Sequence, residues 1–328
     1  MSANAKGALY ALTAFGIFAT HDVIVKFLGG TYAPFQIIFY SVLLSFPLAL
    51  IMLMRDTTPG TLVPVHPWWL ALRTGAVVVT GVSAFYAFSV LPLAQTYAIL
   101  FASPLLITIL AIPILGEKVR LRRWLAVLVG LTGVLVVLRP GQTDLTLGHL
   151  AALVSAVGGS FASIVVRKIG AEERPVVMLI YPMMATFIVM ACALPFVYVP
   201  LPIEHLGLLA IIAIFAWTAG RLVIAAYQTG EAAIIAPMQY SQIVWATIFG
   251  YFFFGDVIDA GTAIGASIII ASGFYIVLRE SRSGTSQNTP VLRTRSRYET
   301  GASPRISVRM RSLGLLPLRQ GPKQPDKR

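Results

Sequence analysis

Ten stretches of about 20 apolar residues follow one another along this sequence, separated by short polar loops. About 20 apolar residues in a helix are needed to cross the hydrocarbon core of a bilayer. The stretches therefore predict ten membrane-spanning helices and an all-α integral membrane fold. Their predicted bounds are 7–28, 34–54, 68–90, 94–115, 121–139, 146–167, 176–196, 205–228, 232–254 and 260–279.

The composition supports a membrane protein, because only 12% of the 328 residues are charged and 57% are hydrophobic. About a quarter of the residues in a soluble domain are charged. The net charge of +12 could suggest a nucleic-acid binder, but eleven of the 25 Lys and Arg residues follow Glu280 and most others lie in short loops. Such charges orient a membrane protein and contact anionic headgroups, so we predict a lipid partner and no nucleic acid.

The uneven distribution of basic residues predicts the orientation of the chain. With a cytoplasmic N-terminus, the inside loops contain most of the Lys and Arg residues, as the positive-inside rule requires. An even number of helices then leaves the C-terminus in the cytoplasm too. Residues 281–328 are rich in Ser, Arg, Pro, Gly and Gln, which predicts a disordered basic tail.

An internal repeat divides the apolar part of the chain. The run Gly7–Lys26 is echoed by Gly148–Arg167, and Leu115-Gly116-Glu117 is echoed, at nearly the same separation, by Phe254-Gly255-Asp256. Each half, 1–140 and 146–280, contains five predicted helices, and an odd number makes the halves enter the membrane in opposite senses. Inverted repeats are typical of alternating-access transporters with one midplane site, although channels also contain repeats.

Several short motifs occur in the order that is typical of one family. They include Tyr86-Ala-Phe-Ser-Val-Leu-Pro-Leu-Ala-Gln95, Ser103-Pro104-Leu105, Leu115-Gly116-Glu117-Lys118-Val119 and Ala236-Pro237-Met238-Gln239-Tyr240. In this order the sequence resembles two EamA domains of the drug/metabolite transporter superfamily, over about residues 7–280. The resemblance implies ten helices in two inverted halves around a central cavity. It also implies transport of small metabolites across the bacterial inner membrane without ATP.

The first span contains three ionisable residues, which are costly inside a bilayer and therefore indicate function. Asp22 and Lys26 are one helical turn apart, so they share a helix face and can pair. We predict that they line the cavity and that Asp22 or His21 binds a proton or a cation. The alternative is an ion pair that reaches the membrane interface. This short pattern resembles family members that carry S-adenosylmethionine or riboflavin.

Two arginines require separate interpretations. Arg221 lies within the eighth span, and its counterpart in the repeat, Gly81, is not basic. A guanidinium there would attract an anionic substrate or a carboxylate, and the alternative is a pair with Glu231 or a backbone carbonyl. Arg73 follows two tryptophans near a predicted helix start, which is typical of an interfacial anchor.

Aromatic and amide side chains within the spans could bind a planar ring by stacking and hydrogen bonding. The alternative for each is helix packing. The side chains that we predict to bind substrate are Tyr86, Gln95, Tyr97, Gln239 and Tyr240. Pro237 favours a kink that opens a polar lining around the last two. The single Cys192 predicts a small buried side chain, and the patterns Gly130-x-x-Gly133 and Gly261-x-x-x-Gly265 predict close helix packing.

The sequence contains no phosphate-binding loop, zinc-type spacing or nucleophile elbow. We therefore predict a secondary transporter of a small organic solute, with no enzyme activity, no cofactor and no metal. A membrane-embedded enzyme and a non-transporting scaffold or receptor are the alternatives. The expected partners are a small-molecule substrate, the lipid bilayer and, as a candidate, a second copy of the chain.

Overall fold

The computed structural model describes residues 3–54, 61–116, 121–139, 145–170, 172–229 and 235–282, and within them it is helical. A 3₁₀ turn, Ala236–Tyr240, and a π turn, Gly250–Phe254, flank one short helix, Ser241–Phe249. The helices are α1 (Ala3–Gly29), α2 (Pro34–Met54), α3 (Pro67–Val90), α4 (Leu93–Leu100), α5 (Ser103–Leu115), α6 (Leu121–Leu138), α7 (Leu147–Ile169), α8 (Pro175–Val197), α9 (Ile203–Thr229), α10 (Ser241–Phe249) and α11 (Ala260–Arg282).

Seven stretches of the described residues are long and apolar enough to cross a membrane, and these confirm a helical, multi-pass membrane fold. They are Ala5–Gly29, Pro34–Ile51, Pro67–Val90, Leu93–Leu115, Leu147–Ile169, Val176–Val197 and Ile203–Ala226. Two further apolar helices, Trp124–Leu138 and Ala260–Ile276, are shorter. The stretch predicted at 232–254 is divided among the 3₁₀ turn, α10 and the π turn, so its described part contains no long helix.

The span predicted as one helix at 94–115 is broken near its middle. α4 ends at Leu100 and α5 begins at Ser103. Phe101 and Ala102 form the connection, in which the Phe101 N–H donates to the Tyr97 carbonyl at 2.9 Å. Pro104 lies in the first turn of α5. A proline starts a helix well but cannot continue the hydrogen-bond ladder of the preceding one, so the break follows from its position.

Two glycines end the fourth and ninth predicted spans in the left-handed conformation. Gly116 follows α5 with φ 69°, and Gly255 follows the π turn with φ 67°. A residue with a Cβ is strained in that conformation, which is why helices commonly end on glycine. These two glycines are the central residues of the Leu-Gly-Glu and Phe-Gly-Asp motifs that echo one another in the repeat.

Contacts between loops and helix termini define two ends of the molecule. At the first, which we call the Lys26 end, the Tyr32 hydroxyl and His205 Nδ1 are 2.6 Å apart. Gln36 there donates to the Val199 carbonyl at 2.7 Å and accepts from the Val199 N–H at 2.9 Å. At the opposite, Lys168 end, the Lys168 ammonium donates to the Ile114 carbonyl at 2.8 Å.

The most extensive helix pairs are α1 with α9, α3 with α7, and α6 with α11. Glycines allow the last pair to approach closely. A Cβ on Gly265 would lie 2.6 Å from the Gly133 carbonyl oxygen, and a Cβ on Gly133 would lie 2.9 Å from the Gly265 carbonyl oxygen. The predicted packing role of these two glycines is therefore confirmed.

One prediction about the outer parts of the chain is wrong, and another concerns residues outside the described ranges. The prediction that Cys192 is buried is wrong, because its side chain is exposed on α8. The outer surface of a membrane helix is as apolar as a packed surface, so an apolar run does not show which face is buried. The predicted tail, 281–328, lies outside the described residues apart from the last two residues of α11.

Candidate functional site

Three of the predicted site residues meet in the interior of the first half. Asp22 Oδ1 lies 2.8 Å from His21 Nδ1, and the Tyr97 hydroxyl donates to Asp22 Oδ2. All three residues are at most 4% exposed. A buried carboxylate remains ionised only when donors surround it, and an ionised Asp22 requires that His21 carry its proton on Nδ1. We call these residues the Asp22 site.

Tyr97 belongs to a row of aromatic rings that extends to the second half of the chain. Its ring centroid is 5.3 Å from that of Phe88 and 5.8 Å from that of Phe101. Phe101 in turn makes an edge-to-face contact with Tyr240, at 5.1 Å. We call Phe88, Tyr97, Phe101 and Tyr240 the aromatic row. It joins the break after α4 to the 3₁₀ turn before α10, and all four of its rings are buried.

Polar atoms at the far end of the aromatic row are buried without partners. The Tyr240 hydroxyl lies against α11, at the place that a Cβ on Gly273 would occupy. Among the described residues, neither this hydroxyl nor Gln242 Nε2 has a hydrogen-bond partner. A buried polar atom without a partner is rare and requires an explanation, and a bound solute would provide one. Gln239, beside Tyr240, is half-buried.

Lys26 makes a contact that sequence reasoning missed. Its ammonium donates to Asp256 Oδ2 at 2.5 Å and lies 4.7 Å from the centroid of the Phe254 ring. The Leu93 N–H also donates to Asp256 Oδ2, at 3.3 Å. The Lys26 and Asp256 side chains are 12% and 21% exposed, so the pair is only partly hydrated. In the sequence, Asp256 is distinguished by the Phe-Gly-Asp motif, which repeats the Leu-Gly-Glu motif of the first half.

A small, partly open cleft lies beside this ion pair at the Lys26 end, and we call it the Asp256 cleft. Its lining includes Gln95, Thr247 and Asp259. Gln95 Nε2 is 3.0 Å from His149 Nε2, which brings a second histidine, one that was not predicted, behind the cleft wall. The cleft is therefore polar on one side and contains two carboxylates, those of Asp256 and Asp259.

The two arginines lie in different surroundings. Arg221 is exposed on α9, where its guanidinium carbon lies 5.3 Å from the centroid of the Trp217 ring. Its alternative partner, Glu231, lies outside the described residues. Arg73 is fully buried and donates from Nη1 to the Met178 carbonyl at 2.7 Å, so the prediction of an interfacial anchor is wrong: α8 covers the side chain.

The remaining predicted residue, Tyr86, is half-buried on α3. The structure therefore brings His21, Asp22 and Tyr97 together, and extends them through aromatic contacts to Tyr240. Gln95 lies apart, at the Asp256 cleft.

Known proteins similar to this chain are named as transporters. The S-adenosylmethionine uptake transporter of Rickettsia bellii (strain RML369-C) is 27% identical over 265 residues, which cover 80% of this chain and 90% of that protein. The riboflavin transporter of Vibrio cholerae serotype O1 is 28% identical over 196 residues, covering 58% and 64%. The pseudopaline exporter CntI of Pseudomonas aeruginosa (strain UCBPP-PA14) is 25% identical over 284 residues, covering 85% and 97%.

A solved crystal structure shares the fold, with a TM-score of 0.53 and 19% sequence identity, over 81% of this chain and 96% of the other. The EamA-like transporter family matches this chain twice, at residues 5–139 and again at residues 146–278. Together the two matches span nearly all of the chain before its tail, and they confirm the resemblance that the motifs indicated. The chain belongs to the EamA-like transporter family.

Proposed function

We propose that this chain is a secondary transporter that moves a small organic cation with a planar ring across the bacterial inner membrane by alternating access. The observation that carries the proposal is the Asp22 site, a carboxylate buried within a membrane span at one end of an aromatic row. Ionisable groups within spans are expensive and mark substrate or ion pathways. A positively charged group of the substrate would bind Asp22, while its ring would stack in the aromatic row.

S-adenosylmethionine is the first candidate substrate. It contains a sulfonium and an ammonium group, which suit Asp22, and a planar adenine, which suits the ring of Tyr97 or Tyr240. A relative named for its uptake covers 80% of this chain. Riboflavin, for which another relative is named, is planar but uncharged, so it would use the aromatic row and gain little from Asp22. Arg221 is the proposed partner of a substrate carboxylate.

Helix contacts support two inverted halves. Aligning the two motif echoes relates α1 to α7 and α3 to α9. The close pair α1 with α9 therefore has its counterpart in the close pair α7 with α3. Phe101 and Tyr240 are equivalent positions when Gly116 is aligned with Gly255, and their rings contact one another, as equivalent residues do beside a two-fold axis. An axis in the membrane plane would place the aromatic row at the midplane, where inverted-repeat transporters bind solutes.

The proposed architecture contains ten spans, with the 3₁₀ turn, α10 and the π turn as one irregular span. Non-helical backbone at membrane depth is tolerated where it is covered by protein or lines a cavity. The uneven Lys and Arg distribution supports a cytoplasmic Lys168 end and a periplasmic Lys26 end.

Transport by purified protein in proteoliposomes tests the proposal. We expect uptake of labelled S-adenosylmethionine into vesicles, and Asp22→Asn should raise its KM by about tenfold or more, because a buried partner of the charge is lost. Riboflavin uptake, if present, should change much less in that variant. Tyr275→Phe, which changes an exposed tyrosine on α11, is the control. An Asp22→Asn variant that retains the KM of the unmodified chain for every cationic solute transported would refute the proposed site.

A further inference from the structure

Lys26 has two carboxylates within its reach, in different halves of the molecule. Asp22 precedes it by one turn on α1, so the two side chains project from the same face, with Cβ atoms about 5–6 Å apart. Asp256, in the second half of the chain, accepts the hydrogen bond of its ammonium at 2.5 Å. Meanwhile His21 and Tyr97 contact the Asp22 carboxylate.

The two pairings of Lys26 have different mechanical consequences. A bond between Lys26 and Asp22 lies within α1 and joins nothing else. The bond to Asp256 joins α1 to the segment between the π turn and α11, and the Leu93 N–H adds the start of α4 through the same carboxylate oxygen. The Phe254 ring lies over the ammonium. The second pairing therefore ties three segments together at the Lys26 end, at the edge of the Asp256 cleft.

We propose that Lys26 is a gating residue that exchanges between Asp256 and Asp22, and so couples occupancy of the Asp22 site to closure of the Lys26 end. The proposal rests on the proposed function. A cationic group bound at Asp22 neutralises that carboxylate and repels the ammonium one helical turn away, so Lys26 pairs with Asp256 and the end closes. When no cation is bound, the Asp22 carboxylate attracts the Lys26 ammonium. The bond between Lys26 and Asp256 then breaks, and the Lys26 end opens.

The exchange is energetically accessible because neither pairing leaves the ammonium without a carboxylate. Breaking the ion pair of a buried lysine without forming another would leave an unpaired charge in a partly dehydrated environment, which is costly. Here the charge moves between two acids, and the acid left behind, Asp256, is 21% exposed and retains the Leu93 N–H. A ligand changes such an equilibrium only through its different affinity for the two arrangements, and the cationic group supplies that difference.

Labelling of a buried cysteine tests the gate without any substrate. Cys192→Ser removes the single native thiol. Ala98→Cys then places one thiol on α4, one turn deeper than Ala94 of the cleft wall, at a position that is fully buried. The rate of reaction with a membrane-impermeant maleimide, applied from the side of the Lys26 end in right-side-out membranes, measures how often that end opens.

The chain with Cys192→Ser and Ala98→Cys is the parent for these measurements. In it, Lys26→Gln and Asp256→Asn should each raise the labelling rate by about tenfold, a change equivalent to about 1.4 kcal/mol. The reversed pair, K26D with D256K, should return the rate towards that of the parent. Asp22→Asn should lower it, because Lys26 then has only Asp256 to bind. A double variant with Lys26→Gln and Asp22→Asn should label as fast as Lys26→Gln alone.

Arg139→Gln is the matched control, because it removes another cation that contacts an aspartate at the same end, and that contact joins the end of α6 to Asp259 rather than α1 to Asp256. It should leave the rate unchanged, and an equal rise in this control would show general loosening and overturn the gate. Unchanged labelling in folded Lys26→Gln protein, checked by size-exclusion chromatography, would also overturn it. So would faster labelling in Asp22→Asn. Failure of all solute uptake would refute the proposed function while leaving these rates interpretable.

Discussion

Replacing Tyr97 by Phe separates the two roles that the Asp22 site would have to combine, stability and cation binding. The substitution removes one hydroxyl and keeps the ring, so the contacts with Phe88 and Phe101 at 5.3 Å and 5.8 Å are retained. Asp22 keeps His21 but loses the donor to its second oxygen. Because both residues are 1% exposed, water does not replace the hydroxyl. A hydrogen bond to a charged group contributes about 1.5–3 kcal/mol, and this is the expected loss of stability.

The same loss should strengthen the binding of a cation. A carboxylate that has lost a donor gains more from a positive ligand, so the stabilisation by S-adenosylmethionine should be larger in Tyr97→Phe than in the unmodified chain. The assay is thermal unfolding in detergent with and without the solute. We expect the melting temperature to fall by roughly 3–6 °C without solute and the solute-induced rise to increase. A melting temperature that is unchanged by Tyr97→Phe, with the same solute-induced rise, would refute the reasoning. Tyr275→Phe on the exposed face of α11 should change neither value.

Three further predictions follow from the helix contacts and the charges. Gly265→Val should lower stability by about 1–3 kcal/mol in the same melting assay, because its Cβ would meet the Gly133 carbonyl oxygen at 2.6 Å; Gly75→Val, with nothing within 4 Å of the added Cβ, should be tolerated. Arg73→Met should leave the melting temperature unchanged or raise it, since the guanidinium Nε and Nη2 have no partner among the described residues and an apolar side chain of similar size avoids that burial cost; a marked fall would contradict this. A pH gradient should accelerate solute uptake in proteoliposomes if a proton binds at Asp22, and Asp22→Asn should abolish the acceleration; equal uptake with and without the gradient would exclude proton coupling.

The helical membrane fold could be predicted from the sequence because the bilayer imposes one dominant requirement on composition. A span must be apolar over about 20 residues, and that property is local in the chain. His21 and Asp22 stand out in the sequence for the same reason, since an ionisable group in an apolar run is costly, and their role as site residues stays a prediction. Gly116 and Gly255 were marked by the motif echo, and their left-handed conformations explain why both motifs contain glycine.

The features that could not be predicted from the sequence depend on which residues of different helices face one another. An apolar run does not distinguish a face packed against protein from a face in lipid, so Cys192 was predicted to be buried and Arg73 to lie at the interface. Both predictions are wrong for this reason. The bond between Lys26 and Asp256 joins opposite halves of the chain. Helix spacing identifies Asp22 as a neighbour of Lys26, but the competing acid becomes visible only when the halves are packed together.

The break between α4 and α5 places two helix ends inside a membrane span. Between the end of α4 at Leu100 and the start of α5 at Ser103, the regular ladder of main-chain hydrogen bonds is interrupted: the Ala102 N–H donates to the Ile99 carbonyl at 3.1 Å, and the Ser103 hydroxyl donates to the Leu100 carbonyl at 2.7 Å. Helix ends carry partial charges of roughly half an elementary charge, negative at the C-terminus and positive at the N-terminus. On the proposed pathway a solute would therefore meet fixed backbone dipoles as well as ionised side chains. Because the main chain supplies that field, part of the selectivity would survive even if every side chain around the break were replaced by alanine.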